Sequence, residues 1–117
     1  MSFDAAQNKK YLDAESGLAR VRGNQVLFNR MLGLFMASEE FAAFEDALAA
    51  NNLAQAGDVA HAIKGMAGNL ALNAVFETSS ELMVQLRQGP PDPGLLTSYR
   101  DTLEKTKEII AEYMAQA

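Results

Sequence analysis

The sequence has no cysteine and no tryptophan. Without cysteine there can be no disulfide, no thiolate metal site, no iron–sulfur cluster and no thiol catalysis. A single histidine, His61, excludes a multi-histidine metal centre. Basic residues are also scarce: Lys and Arg total 10 against 15 Asp and Glu, for a net charge of −5. A binder of phosphate backbones needs a concentrated positive patch. No basic run extends beyond Lys9-Lys10, so nucleic acid is not an expected partner. No stretch approaches the roughly 18 apolar residues of a membrane span, and the first residues lack the apolar core of a signal peptide. A cytoplasmic protein without membrane association is the expectation.

What is present is ordinary for a folded domain. The chain has 117 residues, 49% of them apolar and 21% charged. That length predicts one domain over residues 1–117, with residues 1–8 disordered. The three prolines, Pro90, Pro91 and Pro93, fall in one loop. Elsewhere Ala, Leu, Met, Glu and Gln dominate, which favours helix nearly throughout.

A first helix is predicted from Asn8 to Val21, ended by Arg22-Gly23. Asn24 is a candidate cap for the next, "QVLFNRMLGLFMA", which is apolar around most of its circumference and must be covered on two sides. The short first segment is the expected cover. Ser38 reads as a cap for a helix from Glu39 to Ala50, and Asn52 with Gln55 as a capping box for one from Leu53 to about Ala71. A turn near Leu72-Asn73 leads to a helix from Ala74 to Gln88, with Gly89 just past its end. Asp92 caps the last helix, with Pro93 at its first position. Short links between amphipathic helices predict an all-α fold: an antiparallel up-down four-helix bundle with a short N-terminal covering helix.

The fourth of these segments holds His61. At about 100° per residue, Leu53, Ala56, Val59, Ala60, Ile63, Met66, Ala67 and Leu70 share one arc of roughly 140°, the predicted buried face. His61 lies about 150° from the centre of that arc and is predicted to face solvent. Its outer-face neighbours are Gly57, Asp58, Lys64, Gly65 and Gly68. Each glycine inside a helix costs about 0.8–1 kcal/mol relative to alanine. Three on the histidine's own side predict a strip of bare backbone that lets another molecule approach.

An imidazole with the reference pKa of about 6.5 is a competent nucleophile near neutral pH. Attack on a phosphoryl group places negative charge beside the ring, and an ammonium one turn away stabilises it. A lone helical histidine is more often an ordinary core or surface residue. The core version fails on the wheel position, and an idle surface residue leaves the glycine strip unexplained. Glycines that permit close packing within the chain remain an alternative, as does a merely solvated Lys64.

"HAIKGMAGNLAL", from His61 to Leu72, resembles the His-x-x-Lys-Gly signature of histidine-containing phosphotransfer (HPt) domains. The upstream "GLARVRGNQVLFNRMLGLF" resembles the N-terminal part of the same family, and the similarity runs from about Asp13 to Gly89. The last helix matches in pattern alone. The resemblance implies that His61 accepts a phosphoryl group from a receiver-domain aspartate and passes it to another receiver in a multistep two-component phosphorelay. Lys64 would steady the group and Gly65 would leave room for it. The implied partners are response-regulator receiver domains, a hybrid histidine kinase, or both. No cofactor is expected on this chain, and Mg2+ is expected on the receiver. Ala71 departs from the pattern, because many members have glycine there; the change is expected to alter the turn and not the chemistry.

Counting from a hairpin turn at Leu72 puts Met83 level with His61, with Ser79, Ser80 and Arg87 nearby. Gly57, Gly68, Met83 and Arg87 are therefore the candidate docking and phosphoryl-environment residues. Arg87 is either a second cation or a solvated helix-end charge. Exposed apolar surface for a receiver is expected from the helix around Phe28 to Phe35. The alternative function is a non-catalytic helical adaptor that binds receivers without carrying phosphoryl. A general-base enzyme would need an orienting carboxylate, for which Asp58 is the one candidate. Gly65-Met66-Ala67-Gly68 is no phosphate-cradling loop and no ATP-binding glycine box is present, so the chain is expected to be a phosphoryl carrier and not a kinase. No metal site is expected, and a lone capped bundle is most simply a monomer.

Overall fold

Most helix starts fall where a short polar side chain can take an otherwise orphaned amide hydrogen, although Leu72 opens its helix without one. In the computed structural model, which describes residues 3–116, Asn24 Oδ1 accepts from Leu27 N–H at 3.0 Å and Asn52 Oδ1 from Gln55 N–H at 3.1 Å. Asp92 Oδ2 accepts from Leu95 N–H at 3.0 Å, with Pro93 as the first helical residue. Such caps contribute about 1 kcal/mol each. They open α2 (Gln25–Met36), α4 (Leu53–Asn69) and α6 (Pro93–Gln116). The remaining elements are α1 (Ala14–Arg20), α3 (Glu40–Ala49) and α5 (Asn73–Leu86), and no strand occurs among the described residues. Ser38 caps from one residue further out than expected: its Oγ accepts from Glu40 N–H at 3.2 Å, and Glu39 is the cap residue.

The first helix is shorter than the sequence suggests. It begins at Ala14, not Asn8, because Asp13 is held elsewhere. Asp13 Oδ1 accepts from Ser16 N–H, while its own N–H donates to the Ala71 carbonyl at 3.1 Å. That long-range bond stops the helix from growing backwards. Residues 5–11 form turns, and Asp4 Oδ1 takes the amides of Ala6 and Gln7. Of the segment expected to be disordered, residues 1 and 2 lie outside the described residues.

Two rods meet along α6. Near its C-terminal end Tyr113 stacks edge-on against Phe28 of α2, with centroids 5.9 Å apart, and accepts a hydrogen bond from Gln25 Nε2 at 2.8 Å. Near its N-terminal end Tyr99 meets Phe44 of α3 at 5.2 Å, and Arg100 forms an ion pair with Glu45. Thus α2 and α3 run in sequence, antiparallel to α6, and Phe35 and Phe41 bridge the break between them at 5.0 Å. Tyr99 is fully buried, and burial pushes its hydroxyl far above the usual phenol range, so it stays neutral. α4 and α5 form a tight antiparallel hairpin. Leu32, Phe44, Ile63, Leu72, Leu82 and Ile110, all fully buried, fill the space between the helices.

One end of this hairpin is covered by α1 and the turn before it. Gly17 lies against the Phe28 ring and the Leu70 carbonyl, and Ala74 N–H donates to the Lys10 carbonyl at 2.9 Å. Arg20 donates to the Gly68 carbonyl, one of the orphan acceptors at the end of α4. Inside the turn Ala71 is buried with φ at +58°. A residue with a Cβ pays about 1–2 kcal/mol in this left-handed conformation. Replacing Ala71 by glycine removes that strain but also a buried methyl worth about 0.8 kcal/mol. With the added chain entropy of glycine, Ala71→Gly is therefore expected to leave stability within about 1 kcal/mol, whereas β-branched Ala71→Val should lose about 2 kcal/mol or more. Denaturant titration of both variants checks this.

Candidate functional site

The buried edge of α4 is formed by Ala56, Val59, Ala60, Ile63 and Ala67. Leu53 and Met66, at the margins of that face, are partly buried. The opposite side carries His61, which is exposed. Among the described residues the imidazole has no hydrogen-bond partner, and Asp58 makes no ion pair with it. The orienting carboxylate that a general base needs is therefore not engaged.

His61 lies on the wall of an open depression of about 450 Å3 between α4 and α5. Gly57, Asp58, Met83, Leu86 and Arg87 share that wall. The structure thus brings His61 together with Gly57, Met83 and Arg87. Lys64, one turn along, is directed away from this depression: its Nζ stands 5.4 Å from the centroid of the Phe76 ring on α5.

The three glycines have different surroundings. Gly65 faces open space, with nothing within 4 Å of where a Cβ would stand. A Cβ on Gly57 would be in ordinary contact with Leu86 at 3.8 Å. One on Gly68 would crowd Cε1 and Cδ1 of Phe76 at 3.1 and 3.2 Å. The bare strip expected on the histidine's side is therefore open at Gly65 and filled by α5 at Gly68. The reason is packing: an aromatic ring lies across the backbone there. Phe76 carries no local signal of its own in the sequence. The hairpin count about Leu72 that finds Met83 also puts Phe76 four residues after the turn and Gly68 four before it.

The second flank of α4 faces α2. Phe28 and Phe35 are buried in the core and offer nothing to a partner. The exposed apolar side chains of that helix are Val26, Leu27 and Leu34, the last 67% exposed. A small apolar hollow of about 150 Å3 lies between the two helices, lined by Met31, Leu34, Phe35, Met66, Asn69 and Leu70. No cluster of three or more His, Asp or Glu suited to a metal ion occurs among the described residues, and no helix there is long and apolar enough to cross a membrane.

Comparison with protein families gives a match to the Hpt domain model over residues 30–111. The chain belongs to the Hpt domain family. Its role is accordingly phosphotransfer in two-component signalling, as a carrier that works with receiver domains and histidine kinases. The Hpt match begins inside α2 and reaches into α6, so it takes in most of a helix that resembled the family in pattern alone, and leaves out α1. Searches of curated proteins and of solved structures give no match.

Proposed function

We propose that this Hpt chain is the intermediate of a multistep phosphorelay, phosphorylated on His61 by a receiver-domain aspartyl phosphate and dephosphorylated by a second receiver. The observation that carries this reading is the exposed, unbonded imidazole of His61, with Gly65 open beside it. The scaffold is read as an up-down four-helix bundle in which α2 and α3 count as one rod and α1 covers an end.

The lone pair of one imidazole nitrogen attacks phosphorus. A P–N bond forms as the acyl P–O bond breaks, and the electron pair leaves on the receiver's carboxylate. The N–H stays on the other ring nitrogen, and the resulting phosphoimidazolium sheds its proton to solvent. Onward transfer reverses these steps on a new carboxylate. The Mg2+ assigned to the receiver balances charge on the leaving group, and this chain contributes no metal ligand. Lys64 supplies an ammonium to the phosphoryl oxygens, Arg87 a second cation from α5, and Gly65 the clearance. Gly57, Gly68 and Met83 shape the margin toward α5. Val26, Leu27 and Leu34 with Met66 form the apolar flank on which a receiver docks.

The test is incubation of the chain with phosphorylated receiver domains, followed by mapping of the label. Acid-labile label on His61 that a second receiver removes is the expected result. Tight receiver binding with no phosphohistidine overturns the reading in favour of an adaptor. Lys64→Ala should slow transfer by about 10-fold, the equivalent of roughly 1.4 kcal/mol of charge stabilisation at an exposed site. Rapid-quench kinetics check this, and unchanged rates remove Lys64 from its role.

A further inference from the structure

The Lys64 ammonium lies over the ring of Phe76, 5.4 Å from its centroid. Among the described residues no carboxylate lies within ion-pair distance of it, so the ring is its one charged or π partner. Phe76 is itself unusual: a large apolar side chain left 39% exposed at the start of α5. It is seated across the backbone of α4 where Gly68 has no Cβ, a slot that an alanine would already crowd. Three residues from two helices therefore form one device: Gly68 makes the slot, Phe76 fills it, and Lys64 rests on the exposed ring. Phe76 is level with Gly68, on the opposite side of Lys64 from His61 along the helix axis.

We infer that Phe76 is a positioning residue for Lys64, holding its ammonium off the imidazole while His61 is unmodified and releasing it when a phosphoryl group arrives. This inference rests on the reading of His61 as phosphoryl acceptor. A cation on an exposed ring gains modest attraction, and a doubly charged phosphoryl group one turn away competes for it strongly. The ring contact belongs to the unmodified state alone. It therefore biases the exchange with a receiver toward dephosphorylated His61. Removing the ring should shift that equilibrium toward phosphohistidine by about 2- to 5-fold.

Two measurements test this. The first uses the full chain with 13C-labelled lysine, before and after phosphorylation by phosphoramidate. The Lys64 ε-methylene protons should be shifted upfield by the ring in the unmodified protein. That shift should vanish in Phe76→Leu, persist in Phe76→Tyr, and vanish on phosphorylation. The second is the transfer equilibrium with a receiver that labels the wild type, for Phe76→Leu alone and with Lys64→Ala. The 2- to 5-fold shift should appear in the first and disappear in the double variant. Gly68→Ala, which dislodges the ring from the other side, should reproduce Phe76→Leu in both measurements. An unshifted methylene in the unmodified wild type overturns the inference, and so does a shift that survives phosphorylation. An equilibrium change that is the same without Lys64 also overturns it, because it would mark a structural effect only. Failure of His61 to form phosphohistidine with either donor instead sinks the proposed function and the release step, while the ring contact is still read in the unmodified protein.

Discussion

His61→Gln is expected to take no phosphoryl label from any receiver, a loss on the order of 10^3-fold or more, because the substitution removes the attacking lone pair itself. Glutamine keeps a polar side chain of similar reach but offers an amide nitrogen with no nucleophilic pair. No other histidine is present to substitute for it. The fold should be indifferent. His61 is exposed and bonds to nothing among the described residues, and surface changes of that kind stay within about 0.5 kcal/mol. Label transfer and thermal denaturation measured on the same preparation check both halves. Equal labelling of the variant would mean that the acceptor lies elsewhere.

Gly17→Ala is expected to act oppositely, lowering stability with the acceptor atom untouched. Gly17 is buried in α1, where a methyl would stand 2.6 Å from Cε1 and Cζ of Phe28 and 3.1 Å from the Leu70 carbonyl oxygen. Aromatic edges often swing aside, but Phe28 is wholly enclosed and the carbonyl belongs to the backbone of the α4–α5 turn. Helix propensity favours alanine by about 1 kcal/mol, yet overpacking a closed core costs about 1–3 kcal/mol and the backbone contact cannot yield locally. The net expectation is a loss of about 1–2 kcal/mol, read as a lower urea midpoint with an unchanged slope. A variant as stable as the wild type would show that α1 rides loosely on the hairpin.

These two residues mark what the sequence does and does not disclose. His61 is legible because its exposure follows from the 3.6-residue period of its own helix. The caps at Asn24, Asn52 and Asp92 are legible for the same reason: each is a short polar residue next to the segment that it starts. Gly17 is not legible, since its requirement comes from Phe28 and Leu70, which the chain brings there from two other elements. The start of α1 is not legible, because the Asp13 N–H donates to the distant Ala71 carbonyl while its side chain caps the helix locally. Gly65 and Gly68 are alike in sequence and differ in space, because only one lies beneath Phe76. Local periodicity therefore locates the exposed histidine, and its surroundings are decided by contacts across the hairpin.

Asp13 and Arg20, which donate to the Ala71 and Gly68 carbonyls, and Lys10, whose carbonyl accepts from Ala74 N–H, all lie upstream of Arg30, where the family match begins. An excised piece trimmed to the matched boundaries would thus lose the stopper from one end of its barrel of helices. The Gly68 and Ala71 carbonyls would be handed back to water, and the apolar floor beneath Leu70 would be uncapped between two and three turns from His61. For this chain the family likeness stops short of residues that close one end of the helical hairpin.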